Sequence, residues 1–346
     1  MTAITIDNFE EKLPEIKISL QNAKFIGLDL EFSSLYPLKN HSPRDQEREL
    51  RKRLRNNEVV EKESSCFIQL EEFWKNEGDK FKSWYYKAKD GDHLVIPKLY
   101  DSHKYNFEFM YFIHKNFRCR FKNLWTTVEN GQFVCEKVTE DKYRTLENDN
   151  SLEEQLITNL LGFTNVFRIL TSLRKPIIGH NLLQDVLLMI DSLETSLPTS
   201  YISFKKLALN LFPVIFDTKV ITYSMRKLIP EDKRWTDSSL ELLFNFFKNG
   251  TGRHLVLNSP AIEIIGNSNY GVFHEAGWDS FCAGYIFIRL AYLNIYHKYP
   301  KSKRFVSSEL IAGMSEWKNH VNVIRGLVSS IVSNCKDIFK KICSIR

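Results

Sequence analysis

Five side chains in this sequence have the types and spacing needed to hold divalent cations and activate a water: Asp29, Glu31, Asp185, His274 and Asp279. Asp29 and Glu31 stand two apart in the run 25–32, FIGLDLEF, where Ile26, Leu28 and Leu30 alternate with Gly27, Asp29 and Glu31. That period is a β-strand's, and it puts both carboxylates on one face. A buried face does not tolerate two bare carboxylates without cations, and two divalent metals would satisfy them. Asp185 ends the run 179–185, GHNLLQD, in which Gly179 makes a tight strand-to-helix turn and Asp185 falls about one turn into the helix. His274 precedes Asp279 by five residues at a helix entry, so Asp279 can bind a metal while His274 reaches a water held between metals. Taken singly, each has an ordinary explanation: edge carboxylates facing water, an acid favoured by a helix dipole, a surface histidine. Together they occur in a fixed order, each at a strand end or a helix start, and independent coincidence is a poor explanation.

The elements that must position them follow from hydrophobic period. Residues 9–20 read as a helix feeding the strand at 25–32. After Pro37 the character changes. Residues 42–55, SPRDQERELRKRLR, are a charged helix with Ser42 as cap and Pro43 at its first position; a solvated face explains the charge better than RNA contact does. Phe67, Leu70 and Trp74 favour a helix, Asp90-Gly91-Asp92 a turn, and 107–117 another helix. Residues 124–128 and 132–138, split by Glu129-Asn130-Gly131, read as a hairpin. These make a small α+β unit over 42–147, followed by a polar linker at 147–151.

Beyond the linker, Phe163, Val166, Phe167 and Leu170 share a helical face, strands are expected at 176–178 and 214–217, and helices at 183–193, 239–247 and 278–295. Alternating strands and helices give an α/β class. The expected organisation is a split core, 1–37 with 151–298, interrupted by the unit at 42–147 and followed by a helical tail at 299–346.

Composition sets bounds. The 346 residues are 43% hydrophobic, enough to bury a core, and the net charge of +6 permits nucleic-acid binding without arguing for it. Six cysteines stand singly with no Cys-x-x-Cys pair, against a disulfide framework or zinc site. The start is polar and acidic, unlike a signal peptide, and the longest apolar stretch, 321–332, is interrupted by Arg325. The expectation is a soluble intracellular protein.

The order of these motifs resembles the DEDDh exonuclease superfamily. Within it the chain is similar to the PARN (poly(A)-specific ribonuclease) family, on GLDLEF at 27–32, GHNLLQD at 179–185, LFPVIFDTK at 211–219 and HEAGWD at 274–279. The likeness to the piRNA-trimming branch adds NLWTTVENGQFVCEKV at 123–138, LPTSYISFKKLALNLFPVIFDTK at 197–219 and NHVNVIRG at 319–326. The resemblance implies an RNase H-like core, an inserted nucleic-acid-binding unit and 3′→5′ exoribonuclease activity. It implies that Asp29, Glu31 and Asp279 hold two Mg²⁺ ions (Mn²⁺ in their place), that Asp185 completes the site partly through water, and that His274 is the general base. Phe32, Leu35 and Leu240 match positions that contact terminal bases, and Lys219 one near the substrate phosphates. The implied substrate is a PIWI-bound small-RNA precursor, with poly(A) as the alternative. Implied partners are PIWI and Tudor-domain proteins and a second copy of the chain; the implied location is the cytoplasm, at the mitochondrial surface through those partners.

The sequence also departs from the family. Six residues separate Leu35 from Ser42, where relatives carry two further sheet strands of about 5–6 residues each. A deletion is expected there in preference to CFIQL at 66–70 supplying a strand. About twenty residues follow 319–326, and set beside the trimming enzymes with their membrane anchor this leads us to expect a shortened isoform or an incomplete gene model. An inactive RNA-binding form is the non-enzyme alternative.

Overall fold

A computed structural model describes residues 4–5, 8–31, 43–55, 65–96, 99, 107–129, 132–149, 151–255, 259–263, 271–300, 305–323 and 330–332. In chain order the elements begin with α1 (Phe9–Asn22) and β1 (Ile26–Gly27). There follow α2 (Pro43–Arg55), α3 (Ser65–Lys87), β2 (His93–Ile96), α4 (Phe107–Arg120), β3 (Leu124–Glu129), β4 (Gln132–Lys137), α5 (Glu140–Asp149) and α6 (Leu152–Leu161). Then come α7 (Phe163–Leu173), β5 (Ile177–Gly179), α8 (Leu183–Leu193), α9 (Tyr201–Leu211), β6 (Ile215–Asp217), α10 (Thr218–Met225), α11 (Leu240–Lys248), α12 (Ala276–Lys298), α13 (Ser307–Gly313), β7 (His320–Asn322) and β8 (Ser330–Val332). The chain divides into two compact units, Met1–Ser42 with Val166–Arg346, and Pro43–Asn165.

The first unit is built on a parallel sheet in the order β1-β5-β6, with Ile26 opposite Ile177 and Gly179 opposite Asp217. Every residue of β5 and β6 is buried, the continuous pattern of strands covered on both faces. On α8, Val186, Met189 and Ile190 recur at helical spacing and pack with Phe167, Ile177 and Phe212. Each such side chain stabilises the fold by about 1.5–3 kcal/mol. The long α12 is buried around most of its circumference, against Phe216, Ile221, Leu243 and Phe247 among others. Gly27 lets β1 approach it: a Cβ there would lie 2.6 Å from the Ser280 carbonyl oxygen.

The second unit is an antiparallel sheet, β2-β4-β3, with helices around an aromatic core that includes Phe81, Phe109, Phe117 and Phe133. A separate apolar cluster joins Leu50 and Leu54 of α2, Tyr111 of α4, and Leu152, Leu156 and Ile157 of α6. Residues 66–70 are helical, within α3.

Three expectations change. The strand at 25–32 shortens to Ile26–Gly27: Leu28 N–H still donates to the Ile178 carbonyl, but Leu30 N–H turns to a side chain instead. Asp29 and Glu31 therefore follow the strand on irregular backbone and do not share its pleat. The linker at 147–151 is partly helix, since α5, with Glu140 and Asp141 favouring its N-terminus, runs to Asp149. The tail at 299–346 is not wholly helical, because β7 and β8 pair antiparallel with Val321 opposite Ile331. Residues 36–41, where strands are expected to be missing, lie outside the described residues; among those described, β1 pairs with β5 alone. No single described helix is long and apolar enough to cross a membrane.

Candidate active site

The carboxylates reach the site by two routes. Asp185 and Asp279 each sit in the first turn of a helix, α8 and α12, and both are 7% exposed. Packing of those helices fixes them. Asp29 and Glu31 follow β1, and His274 precedes α12 on a turn with φ of 70°, a left-handed conformation unusual for a non-glycine residue.

Hydrogen bonds tie the two sets together. Leu30 N–H, between the paired acids, donates to Asp185 Oδ1 at 2.9 Å. His274 N–H donates to Asp279 Oδ2 at 3.2 Å. Gly179 leaves room both for the backbone after β1 and for the turn into α8, since a Cβ there would meet the Leu28 carbonyl oxygen at 2.6 Å and collide with the Leu182 side chain.

Glu31, His274 and Asp279 each offer a ligand atom, all within 4.8 Å of one another. Asp29 joins them electrostatically. Burial, then the charges of Asp185, Asp279 and Glu31, push its carboxyl up to about 7. Asp185 is raised to about 6, chiefly by burial and against the Leu30 hydrogen bond. Asp279 is raised by burial too, with His274 opposing. Acids that resist ionising together are relieved by a cation. Asp279 Oδ1 is moreover buried with no hydrogen-bond partner, while Oδ2 is used by His274. A buried carboxylate oxygen without a donor is costly unless something else satisfies it. The donor set therefore fits a divalent metal.

The remaining expected residues are not drawn into this cluster by any described contact. Lys219 donates through Nζ to the Ser238 carbonyl at 2.7 Å. Leu240 opens α11 and packs half-buried against the core. Phe32 and Leu35 lie outside the described residues.

Two groups beside the site escaped sequence reasoning. His180 bonds Thr218 Oγ1 through Nδ1 at 2.9 Å, while its Nε2 is buried without a partner; burial first, then Lys219, push its imidazole down to about 3. Asp217 is fully buried at the end of β6. A charged residue closing an apolar strand was the available signal.

The chain is similar to the pre-piRNA 3′-exonuclease trimmer of Bombyx mori, at 34% identity over 225 residues, covering 63% of this chain and 42% of that protein. It is similar to the human poly(A)-specific ribonuclease PNLDC1, at 27% over 274 residues, covering 73% and 49% respectively. It is also similar to the poly(A)-specific ribonuclease PARN of Danio rerio, at 29% over 158 residues, covering 45% and 23%. The chain thus spans about half the length of these curated relatives, or less. The family model described as CAF1 family ribonuclease matches residues 4–124 and 40–287, a span that includes Asp29, Glu31, Asp185, His274 and Asp279, and this chain belongs to the CAF1 family of ribonucleases.

Proposed function

We propose that this chain is a divalent-metal-dependent exoribonuclease that removes nucleotides from the 3′ end of single-stranded RNA. The observation that carries the proposal is the convergence of Glu31, His274 and Asp279 within 4.8 Å, beside an Asp29 whose ionisation the neighbouring carboxylates oppose. Asp29, Glu31 and Asp279 are the proposed ligands, with Asp185 completing the set. Two Mg²⁺ or Mn²⁺ ions bound there would stabilise the attacking and leaving oxygens of an in-line displacement at phosphorus. His274 takes the proton of the attacking water as general base. Asp279 holds the His274 main chain through Oδ2, so ligand and base are placed by one residue. Leu240, Phe32 and Leu35 are proposed to bear on the terminal bases and Lys219 on a phosphate.

The substrate we favour is a small-RNA precursor held by a PIWI protein, because the pre-piRNA trimmer of Bombyx mori matches at 34% identity. The second reading is poly(A) removal, favoured by the broader match to a poly(A)-specific ribonuclease, over 274 residues. PIWI and Tudor-domain partners, self-association, and a cytoplasmic location at the mitochondrial surface belong to the same proposal. So does an RNase H-like core whose sheet lacks strands beside β1, for which transcript sequence between the codons of Leu35 and Ser42 is the direct check.

The test is a shortening assay on 5′-labelled RNA with a free 3′ hydroxyl. A ladder descending from the 3′ end with Mg²⁺, absent in chelator and absent on 3′-blocked RNA, is expected. Equal shortening in excess chelator would overturn the proposal. Preference for mixed-sequence over poly(A) ends favours precursor trimming, and RNA binding without shortening identifies an inactive binding form.

A further inference from the structure

Asp217 is the most enclosed carboxylate near the site, at 0% exposure. It is satisfied by main-chain donors from three segments. Oδ1 accepts from Asn181 N–H at 2.8 Å and Lys219 N–H at 2.9 Å; Oδ2 accepts from Leu182 N–H at 3.2 Å and Asn322 N–H at 2.9 Å. Burial raises its carboxyl and these bonds oppose the rise. A second link runs parallel to the first, since Asn322 Nδ2 donates to Asn181 Oδ1 at 2.8 Å. Asn181 itself has φ of 71°, in the left-handed region, so the turn it occupies needs holding.

The C-terminal segment is seated there independently. Asn319 N–H donates to the Ile215 carbonyl at 2.8 Å, Ile215 N–H donates to Asn319 Oδ1 at 2.8 Å, and Asn319 Nδ2 donates to the Pro213 carbonyl at 3.1 Å. Asn319 thus occupies main-chain groups on the free side of β6, and Val321 joins the apolar cluster that also holds Val186 and Met189 of α8. The turn that Asp217 and Asn322 grip leads straight into α8, which carries Asp185, and Asp185 in turn holds Leu30 between the paired acids.

We infer that Asp217 and Asn322 are positioning residues for the metal site, acting through the 181–182 turn and Asp185, so that segment 319–322 is part of the nuclease machinery. This rests on the reading of Asp185 as part of the metal site. Neither residue touches substrate; they set where the Asp185 carboxylate stands. Residues supporting a ligand in this way commonly change metal affinity by about 10–100-fold.

The test is Mn²⁺ binding by calorimetry on the full chain, with thermal unfolding measured alongside. Asn322→Ala removes one side-chain bond and leaves every backbone donor to Asp217, so it remains folded and decides the matter even if Asp217→Asn does not fold. Asn322→Ala is expected to weaken Mn²⁺ binding roughly 10-fold, and Asp217→Asn by more. Binding of a labelled RNA in chelator should be unchanged by Asn322→Ala. In an Asp185→Asn background, Asn322→Ala should add nothing, because its effect passes through Asp185. A lowered melting temperature with Mn²⁺ affinity unchanged in the folded protein would assign a purely structural role and overturn the inference. Full additivity with Asp185→Asn would do the same. Mn²⁺ binding indifferent to Asp185→Asn itself would show that the metal-site reading has failed, and the inference with it.

Discussion

Leu30 N–H and Asp185 Oδ1 meet at 2.9 Å across 155 residues of sequence. That bond closes the site, because Leu30 separates the two acids after β1 while Asp185 rides α8. It gives Asp185 two separable duties, an anchor for backbone and a charge. Asp185→Asn keeps an oxygen acceptor for Leu30, whereas Asp185→Ala leaves that donor without a partner. We expect both to cut RNA shortening severely, and Asp185→Ala to be the less stable by about 1 kcal/mol in urea unfolding. Equal stability of the two would refute the anchoring duty.

The paired acids should separate catalysis from binding. Asp29→Ala and Glu31→Ala are expected to abolish shortening with RNA affinity in chelator largely retained. His274→Ala should keep Mn²⁺ binding and slow the chemical step by roughly 10²–10⁴-fold. Wild-type turnover in that variant would reassign the base.

In chelator, stability should fall as pH rises. The Asp29 carboxyl lies at about 7 in the fold, above its ordinary 3.8, and Asp185 at about 6. The folded state therefore holds protons that the unfolded state releases between those values, and folding weakens as pH climbs from about 4 to about 7. Denaturant midpoints at pH 5 and pH 8 without metal test the sign, and Mn²⁺ at pH 8 should restore what is lost. A metal-free protein more stable at pH 8 would contradict the crowding of carboxylates.

Gly27 is a packing requirement with a catalytic outcome. A Cβ at this position would sit 2.6 Å from the Ser280 carbonyl oxygen, next to Asp279 on α12. Gly27→Ala must push β1 and α12 apart, costing about 1–3 kcal/mol of stability. A displacement of about 1 Å between the acids would reduce turnover on the order of 10²-fold. Chemical denaturation and single-turnover rates measure the two effects separately.

Much of the α/β core is legible in the residues themselves. The apolar runs of β5 and β6, the α8 stripe and the long α12 announce themselves through period and burial, and the hairpin of β3 and β4 through its Glu129-Asn130-Gly131 turn. Asp29 looks like a strand residue because Leu28 and Leu30 continue the alternation; what ends the strand is a partner 155 residues away, which local period does not record. The helix over 140–149 is nearly all polar with no residue fully buried, so its last turn, at 147–149, reads as part of a linker. Asp217 closes an apolar strand, and the donors that enclose it come mostly from far along the chain, from Asn181 and Leu182 and from Asn322. In each case the missing information is long-range.

The two helix-borne acids and the three groups on irregular backbone differ in how their order is maintained. Asp185 and Asp279 keep their places through side-chain packing that exists whether or not an ion is present. Asp29, Glu31 and His274 lie on segments with few ladder bonds, so part of the free energy of ion capture goes into immobilising main chain. The site is half template and half clasp. Amide hydrogen exchange should register this directly: added Mn²⁺ should slow exchange at residues 28–31 and 271–275 and leave the interior of α12 unchanged. Ion affinity would then be adjustable by stiffening those two short segments, without altering a single ligand.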